Sequence, residues 1–474
     1  YAPVLGRWPA QHGSGPPSGL GYIAQQSLNM IGRILSELRK PEATEALHQH
    51  LHEAIEALPQ RVVPPQGSAE QAVAAISGDP EADLPMLQAA TTQYPTDDAL
   101  LWAYAEAWEA AGFQGHALDV LHEGFIDHPN SDRLMLLGTR LLEVGDNELL
   151  HQLIADHRNK EGSIGAGAHW LRGLWAQQRH DTAEAAEAFV HVVALMPRWS
   201  EPRVMAATEL RTLGRLDEAL ALLNDQIALF HPNKAANVDW DRMAVATLLG
   251  RWPDMHDSAR RVGFPPQDED GPFEVEPFEL CSIAFSSEPG APTYLSERVG
   301  PVTARIRTLA HHGAPQHGND LVVFEATPLN PRPANHPKDQ PYVNTYAAIA
   351  VLEPGNMRPT LPIDGIHPGA AHITRIAKAI DPLGVKLQPF SGDAYQLPHP
   401  DPDQDGTVLG FYGGIGIPET TSLTDAHAAL TTVIQTLEHP LFWPELLRLI
   451  GPDGEDDLNA QLEAMDRYHV AENA

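Results

Sequence analysis

The chain has 474 residues and a mass of 51.6 kDa, too long for one ordinary hydrophobic core, and its 43% apolar content suits a folded protein of two or three units. Its 63 Asp and Glu outnumber 31 Lys and Arg, the surplus runs through both halves, and no basic run interrupts it. Phosphate backbones and anionic lipid surfaces are held by clustered cations, so neither nucleic acid nor membrane is an expected partner.

No stretch approaches the roughly 18 uninterrupted apolar residues of a membrane span, and the chain opens without the charged, apolar and small-residue succession of a secretory signal. A cytoplasmic location is expected. The single cysteine, Cys281, has no internal disulfide partner and sits in the apolar run Phe278–Phe285, where a buried, inert thiol is expected.

Residues 1–64 read as an arm followed by a helical pair. Pro3, Pro9, Pro16 and Pro17 keep the first 19 residues extended, and Gly21–Arg39 and Ala43–Leu58 carry helical patterning. His48, His50 and His52 lie on the second of these helices and read as surface residues.

Residues 65–264 are organised by a period of 34. Gly78 and Gly112 are one period apart and Gly214 follows three periods later, with Asp146 and His180 at the skipped turn positions. Ala117, Ala185 and Ala219 form a second column, and Ala105, Gly173 and Ala207 a third, where two helices must approach closely. Pro95, Pro129 and Pro197 end each second helix, with Ser163 filling the gap and Pro232 one residue late. Thr139, His151 and Ser163 depart from their columns, so the helices of that unit are expected to be displaced.

These four columns, and the segment Leu213–Leu220 above all, resemble the tetratricopeptide repeat family over about 200 residues. The resemblance implies an α-solenoid of about five helix pairs whose first helices line a concave, polypeptide-binding wall. By family register that wall would carry Trp102, Glu106, Arg133, Leu136, Arg140, Trp170, Leu174 and Arg211. Trp102 and Trp170 would be aromatic anchors, and the arginines would pair with acidic groups of a ligand. The Lys and Asn constellation with which some family members clamp a carboxylate is not evident.

After Gly263-Phe-Pro-Pro266 the helical period gives way to alternation, which places a boundary near 265 and an α+β domain, with a mixed or antiparallel sheet, over 265–474. Strands are predicted at 278–285, 302–309, 321–325, 342–352, 385–390 and 408–412, and helices at 373–380, 424–437 and 457–468. Two segments could ligate a metal. Asp364, His367 and His372 fall within nine residues on a predicted loop, and Asp401, Asp403 and Asp405 resemble the start of a calcium loop. The bidentate Glu expected at that loop's last position is replaced by Tyr412. Pro368-Gly369 makes a rigid turn between the two histidines, and ordinary turn, capping and solvated-loop roles account for both segments equally well.

No G-x-S-x-G, P-loop, strand-linked G-x-G-x-x-G or H-E-x-x-H occurs. The sequence therefore reads as a multidomain, acidic scaffold or adaptor, an all-α solenoid followed by an α+β domain, that holds a protein or peptide and calls for no cofactor. An enzyme with its active site in the second half and a structural subunit of a larger complex are the alternatives.

Overall fold

A computed structural model describes residues 67–470 apart from 233, 266–270, 274, 287, 289, 338–339 and 402–405. The N-terminal arm, its predicted helical pair and the histidines at 48, 50 and 52 lie outside the described residues. The chain forms two compact units, which meet in sequence between Leu213 and Gly214.

Among its described residues the first unit is built of helices alone. Its described residues run α1 (Ala69–Ala74), α2 (Pro80–Gln93), α3 (Asp98–Ala110), α4 (Gln114–Asp127), α5 (Ser131–Val144), α6 (Asn147–His157), α7 (Gly162–Gln178), α8 (Thr182–Leu195) and α9 (Ser200–Thr212). Their starts are written in short polar side chains: Asp97, Asn130, Asp146 and Asp181 each accept a backbone N–H three residues on. Each such cap contributes about 1 kcal/mol. The turns within pairs are left-handed at Gly78, Gly112, Gly145 and His180, where φ is 81°, 85°, 75° and 57°.

The predicted repeat is present, with a one-residue slip. Leu101, Ala105, Trp108, Ala117 and Leu121 are buried in the α3/α4 pair. In the α5/α6 pair the same places are taken by Leu134, Gly138, Leu141, Leu150 and Ile154, each 33 residues later. The α7/α8 pair recovers the phase with Gly173, Ala176, Ala185 and Phe189, 35 residues further on. Thr139 and His151, the departures noted in sequence, are half-buried and exposed because the column has moved to their neighbours.

Close approach inside a pair is sharpest at Gly173, where a Cβ would stand 2.4 Å from the ring of Phe189. A Cβ at Gly138 would likewise meet the Leu171 side chain at 2.1 Å, so successive first helices also touch through a missing side chain.

The second unit opens with α10 (Leu216–Phe230), α11 (Val238–Leu249) and α12 (Trp252–Arg261). The change from helices to strands comes between Arg261 and Glu279, and this compact unit begins some fifty residues before it, with three helices ahead of its strands. Buried Arg242 of α11 binds Asp254 and Asp257 of α12 at 2.7 Å each, and Phe264, just beyond α12, packs against Trp240 and Phe278.

Strands β1 (Glu279–Ala284), β2 (Thr293–Arg298), β3 (Thr303–Ile306), β4 (Leu321–Phe324) and β5 (Asn344–Glu353) close into a barrel, antiparallel except where β5 runs parallel to β1. Its interior holds Cys281, Ile283, Tyr294, Ile306, Val322, Phe324 and Tyr346. Cys281 is fully buried, and burial pushes its thiol up to about 12, which makes it the inert group expected.

A second sheet, all antiparallel, follows from β6 (Leu361–Ile366), β7 (Lys386–Pro389), β8 (Gln396–Pro398), β9 (Thr407–Gly416) and β10 (Leu441–Phe442), in the order β10-β6-β9-β7 with β8 on β9. Leu361, Ile363, Phe411 and Ile415 pack against α13 (Ala370–Ile380) and α14 (Leu423–Ile434). On the other face Ile366, Leu397 and Phe442 meet Met465 of α16 (Glu455–Tyr468), which follows the short α15 (Pro444–Ile450).

These contacts make three outcomes measurable by denaturant unfolding. Gly173→Ala should cost about 1–3 kcal/mol because Phe189 must move, and a neutral result would contradict the packing. His180→Gly should stabilise by about 1 kcal/mol by removing a side chain from the left-handed region, and a loss would mean His180 makes compensating contacts. His169 is buried and stacks on His191 at 4.7 Å, and burial first, then His191, lowers its pKa from 6.5 to about 4. Between those values the unfolded chain takes up the proton and the folded chain does not, so stability should fall as pH drops through that window. His169→Gln should flatten the fall; an unchanged slope would assign it to other groups.

Candidate functional site

The face made by successive first helices in the first unit is the candidate. Trp102 of α3 is half-buried, and the guanidinium of Arg140, from α5, lies over its ring at 4.8 Å. Arg140 Nε also stands 2.9 Å from Glu109 and its Nη1 donates to Glu143 at 2.5 Å. Glu106 is exposed on the same helix as Glu109. Burial lifts the Glu109 carboxyl above its ordinary value; Arg140 opposes the shift, and Glu143 and Glu106 add to it. One cation thus serves several carboxylates, and the patch keeps a negative excess.

The other predicted wall residues divide. Leu136 and Leu174 are half-buried against the helical core, and Arg211 is half-buried near the end of α9. Arg133 and Trp170 are corrections. Arg133 is 1% exposed: its Nε binds Asp98 at 2.6 Å, and its two terminal nitrogens donate to the Gly124 and Pro95 carbonyls, each also at 2.6 Å. The one-residue slip of α5 rotates this side chain inward, where it ties α5 to the preceding pair. Trp170 is 6% exposed and packs between Phe189 and Trp199, at 5.3 and 4.9 Å, so it is core and not an anchor.

Sequence reasoning passed over Glu109 and Glu143. The spacing of Glu143 three residues after Arg140 is a recognisable helix pair, and Glu109 falls three after Glu106 on the same helix.

In the second unit the proposed metal ligands are not brought together. Asp364 lies in β6, a wholly buried strand where a loop was expected, and its Oδ1 accepts from the Tyr395 hydroxyl at 2.8 Å and the Gly365 N–H at 2.7 Å. His367 Nδ1 accepts from the Gly369 N–H at 3.0 Å, and His372 Nδ1 donates to the Pro368 carbonyl at 2.8 Å. The Pro368-Gly369 turn thus engages the Nδ1 of both imidazoles locally. Asp401 sits in a loop turn, its N–H donating to His399, while Asp403 and Asp405 lie outside the described residues. Among the described residues no three His, Cys, Asp or Glu side chains gather closely enough to hold a metal. Nor, among them, is any helix long and apolar enough to cross a membrane.

No protein-family model matches the chain, and no curated protein matches it in sequence. Among solved structures, MamA AMB-1 is 20% identical over 34% of this chain and 87% of its own, with a TM-score of 0.27. MamA RS-1, as a double mutant, is 14% identical over 34% of this chain and 89% of its own, with a TM-score of 0.26. YrrB, described as a TPR protein with an unusual peptide-binding site, is 13% identical over 37% of this chain and 89% of its own, with a TM-score of 0.27. The likeness covers about a third of the chain, and the tetratricopeptide-like character of the helical region rests on its own repeated pairs, turns and buried columns.

Proposed function

We propose that this chain is a binding scaffold whose first-helix face holds a basic protein or peptide, with the sheet-bearing unit adding specificity or assembly contacts. The observation that carries this reading is the Trp102–Arg140 stack set among Glu106, Glu109 and Glu143. A half-buried aromatic ring offers a partner apolar area at little entropic cost, and the surplus carboxylates favour an incoming cation.

The sequence around the patch supports the same sign. Between residues 67 and 157 the only Lys or Arg are Arg133, which is buried, and Arg140, which is paired, against sixteen Asp and Glu. This reverses the polarity the arginines suggested from sequence alone, since both are engaged within the protein.

A random-peptide display selection on the full chain tests it. Selected peptides should be rich in Lys and Arg beside an apolar residue. They should lose about tenfold in affinity on Trp102→Ala and weaken as salt rises. Selection of acidic peptides, or binding indifferent to Trp102, would sink the proposal.

A further inference from the structure

The second unit contains a cavity of about 820 Å³ that the scaffold reading does not use. Three segments distant in sequence make it: the connection from β3 to β4 at His312–Gln316, the approach to β6 at Arg358–Leu361, and one side of α15. Its volume lies within the roughly 300–1,000 Å³ of small-molecule sites. Much of its wall is apolar, from Ala314, Pro315, Pro359, Leu361 and Leu449.

Most of the polar groups here are already spent. Gln316 donates to the Thr360 hydroxyl at 2.7 Å and accepts from the Gly318 N–H at 2.8 Å. Glu445, the cavity's carboxylate, stands 3.7 Å from His312 Nε2. Arg358 differs. Its Nη2 donates to the Glu419 backbone carbonyl at 2.8 Å, while its Nε is buried without a hydrogen-bond partner, and among the described residues it forms no ion pair.

Arg133, Arg242 and Arg298, all buried, each hold a carboxylate within 2.7 Å, in a chain where acids outnumber cations two to one. A guanidinium half-withdrawn from water costs free energy unless an anion meets it, and no described carboxylate, Glu445 included, forms an ion pair with Arg358. We propose that this cavity binds a small organic acid, its anionic head on Arg358 and its apolar body against Pro315, Pro359, Leu361 and Leu449. Arg448, exposed at the rim, adds positive potential to the mouth.

Calorimetric titration of the full chain with naphthoate and with naphthamide, of the same shape but uncharged, reads the head-group contribution directly. Naphthoate should bind about tenfold or more tightly than naphthamide. Arg358→Gln should abolish that preference while leaving naphthamide affinity in place, and Arg358→Lys should restore part of it. If Arg358→Gln fails to fold, Leu449→Glu, at a side chain 58% exposed, places a second carboxylate on the lip. It should weaken naphthoate by a clearly larger factor than naphthamide, which loses only the apolar contact of Leu449. Equal affinities in the unaltered chain, no binding of either compound, a preference that survives Arg358→Gln, or equal losses of the two compounds on Leu449→Glu would each overturn the proposal.

Discussion

The helical unit depends on how closely two antiparallel helices can approach, and that distance is set where a side chain is missing. At Gly173 the Phe189 ring occupies the space a Cβ would need. Ala105, Gly138 and Ala207 fill the equivalent places with the smallest residues. A small residue in the first helix, a left-handed turn and a small or apolar residue in the second are one constraint written three times. Each pair leaves an apolar face that its neighbours must cover, so the constraint propagates along the array.

It also decides which side chains reach the surface. When α5 slips by one residue, Arg133 turns inward and becomes a clamp on the Asp98 carboxylate and two backbone carbonyls. Arg140, about two helical turns further on, remains partly exposed and settles over Trp102. The chemistry of the first-helix face is therefore a consequence of packing phase.

The repeat was legible in the sequence because Gly, Ala and Pro are spaced by physical requirement. The slip was not. Thr139 and His151 showed that the unit departs from the 34-residue columns, but Leu136 and Leu137, and Leu141 and Leu142, offer an apolar residue at either register and leave the direction of the shift open. Burial chooses the pair of columns in line with Gly138 and Gly145. In the second unit, alternation disclosed β1, β3, β4, β5, β7 and β9, but β6 was hidden by Pro362 and Gly365, which read as a turn. Within the sheet Pro362 stands opposite Gly414, and a Cβ at position 365 would collide with the Pro440 carbonyl at 2.7 Å. The cavity could not be read at all, since its walls come from stretches more than forty residues apart whose nearness only the fold creates.

On the proposed function the partner meets the first helices of the pairs and not the second helices. Site-specific photocrosslinking tests it most directly, with a photoreactive residue placed in turn at Glu106, exposed on α3, and at Ile126, 61% exposed on α4. Irradiation with a Lys- and Arg-rich peptide should yield adducts from position 106 and few from 126. Equal yields from both, or adducts from 126 alone, would rule out binding at the first helices.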